Sequence, residues 1–357
     1  MRKLGLLTGL VILAAASGLA ATGGVLAQTA PRPAAPANPP PPPPKHISAS
    51  HQLPYWAYPV PTRKWPEPDP KEVLRLPGTK VVKTVAQTND RFKIADWRPD
   101  EHPKMPPIVE FGRAPDVMAC GYCHLPNGHG RPENASLAGQ PAEYIKQQVI
   151  EMREGRRKSS ETRMGSINTM MRVAQHTTDA EARIAGEYFS KVKYTKWIRV
   201  VETDTVPKTE IAARNMLMRH GKGSEPIGQR ILEVPENLYR TEARDPASGF
   251  IAYVPKGSVA RGKKLVESGA GGFPCAACHG ANLKGLGNAP ALAGRSPSGI
   301  VRQLYDFRSG TRGGPAAEMM KGQVANMTPA IRLDVAAYLA SLNPKKDFPC
   351  TAPAVRW

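Results

Sequence analysis

Cysteine is scarce. The 357 residues hold five, and four of these fall in two copies of one five-residue pattern, so no disulfide framework staples this chain. The fifth, Cys350, stands alone in the C-terminal tail and reads as a free thiol or an intermolecular bridge in an oxidising compartment. Charge-free runs are as few: Leu4 to Ala27 is one, and no later stretch of comparable length lacks charge, which excludes a second membrane span and predicts a soluble body. Acidic residues are the minority, 30 against 49 basic, giving a net charge of +19. The basic residues are nevertheless scattered among acidic ones with no nucleic-acid-binding signature, so nucleic acid is not the expected partner.

The repeated pattern is Cys120-Gly121-Tyr122-Cys123-His124 and Cys275-Ala276-Ala277-Cys278-His279. C-x-x-C-H is the mark of covalent haem attachment. Two thiols three positions apart can bond both vinyl groups of one porphyrin, and the adjacent imidazole then serves the iron as fifth ligand. A lone copy could equally be a redox dithiol or half of a zinc site. Repetition of the whole pentapeptide in an exported chain predicts two covalently attached haem c groups, held by Cys120, Cys123, Cys275 and Cys278, with His124 and His279 on the irons.

Export follows from the N-terminus: Arg2 and Lys3 precede an apolar run from Leu4 to Leu19, and small residues lead to Val25-Leu26-Ala27. Residues 1–27 are expected to be a signal peptide that delivers the protein to the periplasm, with an uncleaved anchor as the alternative. Loss of Arg2 and Lys3 leaves about +17, a charge that favours acidic docking faces on redox partners or an anionic membrane surface.

Residues 28–70, with an unbroken Pro39 to Pro44, predict an extended proline-rich segment without a core. Its later half adds Tyr55, Trp56, Tyr58 and Trp65, which suit a stretch lying against a folded surface or a partly ordered tail. Beyond it an internal repeat is legible. The offset of 155 that relates the two pentapeptides also maps Leu137-Ala138-Gly139 onto Leu292-Ala293-Gly294, Gln148 onto Gln303 and Arg157 onto Arg312. Apolar spacing predicts helices over Glu143 to Glu154 and Ser298 to Arg308, then Asp179 to Val192 and Pro329 to Leu342, with Thr178 and Thr328 as N-caps. Almost no strand signal falls inside either copy. The expected fold is therefore mainly α: one haem domain at 71–195, a second at 256–345, a tail at 346–357, and between the domains a connector at 196–255. In the connector, Ile198 to Val201, Ile231 to Val234 and Phe250 to Val254 look like short strands.

A haem iron with one histidine has a sixth position to fill. Past the mid-domain helices the copies realign with an offset of 150, pairing Met170 with Met320, each eight residues before a capping threonine. Met171 and Met319 are the competing neighbours, and adjacent methionines are ordinarily core filler. The chain here resembles the class I cytochromes c, in particular the tandem two-haem type called cytochrome c-four. The resemblance rests on C-x-x-C-H, on L-A-G followed by a helix ending F-R-S-G-T-R (Phe307 to Arg312), and on M-x-x-x-V-A-x-M-T before A-A-Y-L. It spans roughly residues 112–195 and 256–343, and implies Met170 and Met320 as sixth ligands. The family often uses a proline carbonyl to accept the proximal imidazole's hydrogen bond. Pro290 matches that place for His279, whereas Ala135 stands there for His124, implying a different environment for the first haem. Ser258 is expected to cap a helix before the second motif; Pro106, Pro107 and Pro115 make its counterpart before the first doubtful. The remaining histidines, His46, His51, His102, His129, His176 and His220, read as surface or loop residues, with His129 and His176 the two near enough to a motif or Met pair to compete as ligands.

The function these readings imply is one-electron transfer between redox partners without substrate chemistry, because His/Met coordination fills both axial sites. The alternatives are a haem enzyme, either a di-haem peroxidase or a sulfur-anion dehydrogenase, and an electron-transfer subunit of a larger dehydrogenase or oxidase complex. The donor or acceptor is expected to be a dehydrogenase, a cytochrome complex or a terminal oxidase.

Overall fold

The computed structural model describes residues 53–212 and 214–345. The expected leader, the oligoproline run, His46, His51 and the tail with Cys350 lie outside the described residues. The aromatics that follow the prolines are anchored: Trp56 and Tyr58 are buried, Tyr58 donates to Asp306 Oδ1 at 2.8 Å, and Trp65 Nε1 donates to the Ile211 carbonyl at 3.2 Å. Burial of the Trp56 and Tyr58 rings, with the polar tips of Tyr58 and Trp65 bonded, holds this stretch on the body.

A small antiparallel pair, β1 (Val73–Arg75) and β2 (Val82–Thr84), leads into a single turn, α1 (Val85–Thr88). Prolines restrict the next helix, α2 (Pro107–Glu110), to four residues, as the sequence led one to expect. The first C-x-x-C-H forms α3 (Cys120–His124). Then come α4 (Ala142–Arg153), which ends before Gly155 at φ +69°, α5 (Gly165–His176) and α6 (Asp179–Lys191). Thr178 caps α6 in a capping box with Glu181. Helix α5 was not expected; its Gly165 and Ser166 hide the start of the pattern, and the segment reads as loop between two stronger helices.

The connector forms a three-stranded sheet in the order β3 (Ile198–Thr203), β7 (Phe250–Pro255), β6 (Leu232–Pro235), with β3 parallel and β6 antiparallel to β7. These are the three runs read as strands. The hairpin β4 (Thr205–Ala212) and β5 (Met216–Pro226) was missed because much of it is exposed and β5 carries glycines and charges where a half-buried strand alternates apolar residues. A short helix, α7 (Leu238–Glu242), joins β6 to β7.

Around the second motif, α8 (Ser258–Ser268) precedes α9 (Ala276–His279), and α10 (Pro297–Arg308), α11 (Ala317–Val324) and α12 (Pro329–Ser341) follow. Ser258 is not the cap of α8. Gly257 takes that position at φ +78°, and Glu202 on β3 accepts the Val259 N–H at 3.0 Å, doing from another element what a cap does locally. Thr328 does cap α12, accepting from Ile331 N. Thr328→Ala is expected to lower the unfolding free energy by about 1 kcal/mol, read as a lower denaturation midpoint.

The two halves of the repeat meet through reciprocal contacts. Gln140 bonds both backbone groups of Ala291, at 3.0 and 2.8 Å, and Arg295 bonds Ser136 Oγ at 2.9 Å and the Ala138 carbonyl at 2.8 Å. The 155 offset carries Gln140 to Arg295 and Ser136 to Ala291, so the two contacts exchange under it. Backbone bonds from Lys158 N to Thr311 O and from Gly313 N to Arg156 O, both 2.7 Å, close the same seam. Such exchange is the signature of a pseudo-two-fold interface.

Candidate functional site

The seam borders one cavity of about 1440 Å³, larger than the roughly 300–1,000 Å³ of an ordinary small-molecule site. Cys120, Cys123, His124 and Met170 line it from the first half, and Cys275, Cys278, His279 and Met320 from the second. The structure thus brings every sequence-predicted site residue onto one wall system. Met170 packs with Val149, Met152, Ala174 and Ala182; Met171 joins that packing but does not line the cavity. Met320 packs into the cluster with Val324 and Leu339, whereas Met319 lines the cavity with 72% of its surface exposed. Met152, Met164 and Met327 also line it and are buried. Sequence reasoning left these three aside, since nothing in a lone methionine's spacing separates cavity wall from core.

Each proximal histidine is buried and held by a backbone carbonyl. His124 Nδ1 lies 2.7 Å from Ala135 O, and His279 Nδ1 lies 2.8 Å from Pro290 O. A carbonyl only accepts, so Nδ1 carries the proton in both rings and Nε2 keeps its lone pair for a metal. The expected difference at Ala135 is therefore corrected: the acceptor belongs to the backbone, and the side chain at that position does not decide it. Burial pushes both imidazole pKa values down despite these bonds, which keeps the rings neutral.

The first thiol of each motif is poorly suited to redox-dithiol chemistry. Burial pushes Cys120 up to about 12 and Cys275 up to about 11, suppressing the thiolate that such chemistry needs. Among the described residues no cluster of three or more His, Cys, Asp or Glu could hold a metal ion, so half of a zinc site finds no other half.

Arginines complete the wall. Arg157 and Arg312 each donate to both Gln148 and Gln303: Arg157 Nη1 to Gln148 at 2.8 Å and Nη2 to Gln303 at 3.2 Å, Arg312 Nη1 to Gln303 at 2.8 Å and Nη2 to Gln148 at 3.0 Å. Burial and the neighbouring Arg312 push the Arg157 pKa down to about 10. Burial works against the Tyr144 phenolate, yet Arg312 and Arg157 outweigh it and lower that pKa too. Neither arginine has a carboxylate within ion-pair distance among the described residues, so this part of the wall offers two unneutralised guanidinium groups to an anion, although acidic residues such as Glu133 and Asp306 line the cavity elsewhere. Covalent haem fits: paired thiols for its vinyl groups, a neutral imidazole for its iron, and thioethers and guanidinium groups on the same cavity lining.

The other histidines divide. His129 is not a surface residue: it is buried, stacks on Trp197 with ring centroids 6.0 Å apart, and has both nitrogens engaged, by Asn127 and by Thr195. Burial pushes its pKa down to about 4. Neither His129 nor His176 lines the cavity. His102 sits against Asp96, and His220 against Glu210.

Residues 259–343 match the Cytochrome c family model. The cytochrome c-554(547) of Halothiobacillus neapolitanus is 32% identical over 94 residues, 24% of this chain and 98% of that protein. The thiosulfate dehydrogenase electron acceptor of Thiomonas intermedia (strain K12) is 25% identical over 242 residues, covering 65% of this chain and 83% of that protein. For cytochrome c4 of Azotobacter vinelandii the figures are 25% over 216 residues, 58% and 77%. The chain belongs to the cytochrome c family. Within it, this is a class I cytochrome of the di-haem, cytochrome c4-like kind, an electron-transport protein.

Proposed function

We propose that this protein is a periplasmic carrier that passes electrons singly between redox proteins through two His/Met-ligated haems. Its parts are two tandem class I domains at 71–195 and 256–345, a connector at 196–255, a proline-rich extension at 28–70 and a cleaved leader at 1–27. In this reading Cys120 and Cys123 hold one haem, with His124 and Met170 on its iron. Cys275 and Cys278 hold the other, with His279 and Met320. The observation that carries the reading is the shared cavity, onto which both motifs open with each imidazole Nδ1 committed to a carbonyl.

Bound haem supplies a one-electron Fe(II)/Fe(III) couple. The chain's own residues do the rest. The Ala135 and Pro290 carbonyls fix the orientation and basicity of the imidazoles. Met170 and Met320 offer neutral thioethers that favour the reduced form and close the sixth positions. The buried apolar wall, including Phe189 and Leu304, excludes water. A relative described as a thiosulfate dehydrogenase electron acceptor supports a dehydrogenase as the donor, and the charge of about +17 left after loss of Arg2 and Lys3 supports an acidic docking face on it. The rival reading, an enzyme with an open first haem, draws on the missing proline and the missing helix before the first motif: the two imidazoles are bonded alike, which removes the first ground, while α2 has four residues against the eleven of α8, which keeps the second.

The test is an optical spectrum of the purified mature protein, oxidised and reduced, with and without carbon monoxide. Two low-spin haems with methionine–iron charge-transfer absorption and no carbon monoxide shift are expected. A shift in half the haem would overturn the carrier reading and make the first or second site a reactive one.

A further inference from the structure

A second cavity, of about 430 Å³, lies beside the loop that holds the second histidine. Lys193, Lys284, Arg295 and Lys345 line it together with Tyr194, and no carboxylate does. Arg295 is its fixed element: 7% exposed, bonded to Ser136 and Ala138, and stacked 3.7 Å over the Tyr194 ring. Its Nε is buried without a partner. Lys193 and Lys345 are exposed on the rim and make no ion pair with any described residue. A concave wall of like charges raises the local concentration of anions. Lysines act as point charges that suit a compact polyanion, while the Arg295 fork already has its own partners.

The cavity also touches the backbone that serves the iron ligand. Ala291 lines it; the residue before it, Pro290, accepts the His279 hydrogen bond. A negative charge placed there stabilises the more positive ferric state and lowers the reduction potential.

We propose that this pocket binds a small divalent oxyanion of the sulfate or phosphate type, and that its occupancy lowers the potential of the second haem. The binding half goes beyond the carrier function; the tuning half rests on it. The probe is inorganic sulfate against chloride at matched ionic strength, applied to the full-length mature holoprotein. Calorimetry is expected to show saturable sulfate binding, weakened at least tenfold in a Lys193→Gln/Lys345→Gln variant, whose exposed substitutions leave the circular dichroism unchanged. Spectroelectrochemistry is expected to show a saturable fall in one of the two potentials. The variant should already sit at the lower value without sulfate and respond no further. Absence of saturable binding, equal binding by the variant, or identical shifts with chloride would overturn the proposal. So would lysine-dependent binding to phosphatidylglycerol vesicles without a response to free sulfate, which would assign the pocket to a membrane headgroup. Carbon monoxide binding would defeat the carrier reading while leaving the calorimetric result standing, so the two failures are distinguishable.

Discussion

Gly262→Val is expected to cost about 4 kcal/mol or more and to remove most of the haem from the second motif. Helix α8 crosses α12 at this glycine so closely that a Cβ here would lie 1.9 Å from the Asp334 carbonyl oxygen and 2.7 Å from Tyr338 Cβ. Overpacking ordinarily costs about 1–3 kcal/mol because flexible neighbours move aside. Here the first obstacle is helix backbone, and separating the helices also stretches the Arg261 bonds to Asp334, at 2.8 and 3.0 Å. The loss is a large share of the roughly 5–15 kcal/mol that keeps a domain folded. The motif suffers because Cys275 N is bonded to the Val266 carbonyl at the end of α8, so a displaced α8 moves the first thiol. Soluble yield, thermal midpoint and haem per polypeptide measure it. Gly310→Ala is the control: φ is +75° but nothing lies within 4 Å of the added carbon, so only the backbone strain of about 1 kcal/mol is expected. Equal losses in the two variants would show that the crossing is looser than described.

What the sequence revealed and what it hid divide along physical lines. Thr178 and Thr328 cap their helices as anticipated because a cap is a local bond, three residues from donor to acceptor. Ser258 misled for the complementary reason: the acceptor that serves α8 is Glu202, 57 residues away from the Val259 it bonds, and no local pattern reports it. The four helices that flank the motifs were legible from apolar spacing, whereas α5, the hairpin of β4 and β5, and the small sheet of β1 and β2 were not. Their stability comes from packing against the rest of the chain. At the site, the thiols and imidazoles could be read from spacing alone. The acceptor at Ala135 could not, because a side-chain rule was applied to a backbone group. Arg157 and Arg312 were visible as a repeated pair, yet that they face each other across one seam is a property of the pseudo-two-fold arrangement and of no window in the sequence.

Substituting glutamine for Arg157 or Arg312 is expected to lower at least one haem potential by roughly 50–100 mV. Both guanidinium groups line the cavity, both are held by the same two glutamines, and neither has a carboxylate partner among the described residues. A cation beside the site opposes the extra positive charge of the ferric state and so raises the potential; removing it acts in the other direction. Loss of one charge-assisted hydrogen bond is worth about 1.5–3 kcal/mol in general, and a one-electron couple moves by about 59 mV per tenfold change in equilibrium constant. Solvent screening at the partly exposed Arg157 places it toward the lower end. Lysine at either position keeps the charge but loses the fork, so Arg312→Lys is expected to restore most of the potential and less of the geometry. The potential is the readout a purely structural role would not move. If both glutamine variants melt earlier but keep the wild-type potentials, the arginines only hold the seam together, and another group must balance the haem carboxylates. If the potentials fall while the fold holds, the contact surface between the two halves of the repeat is also the device that sets the carrier's place on the potential scale.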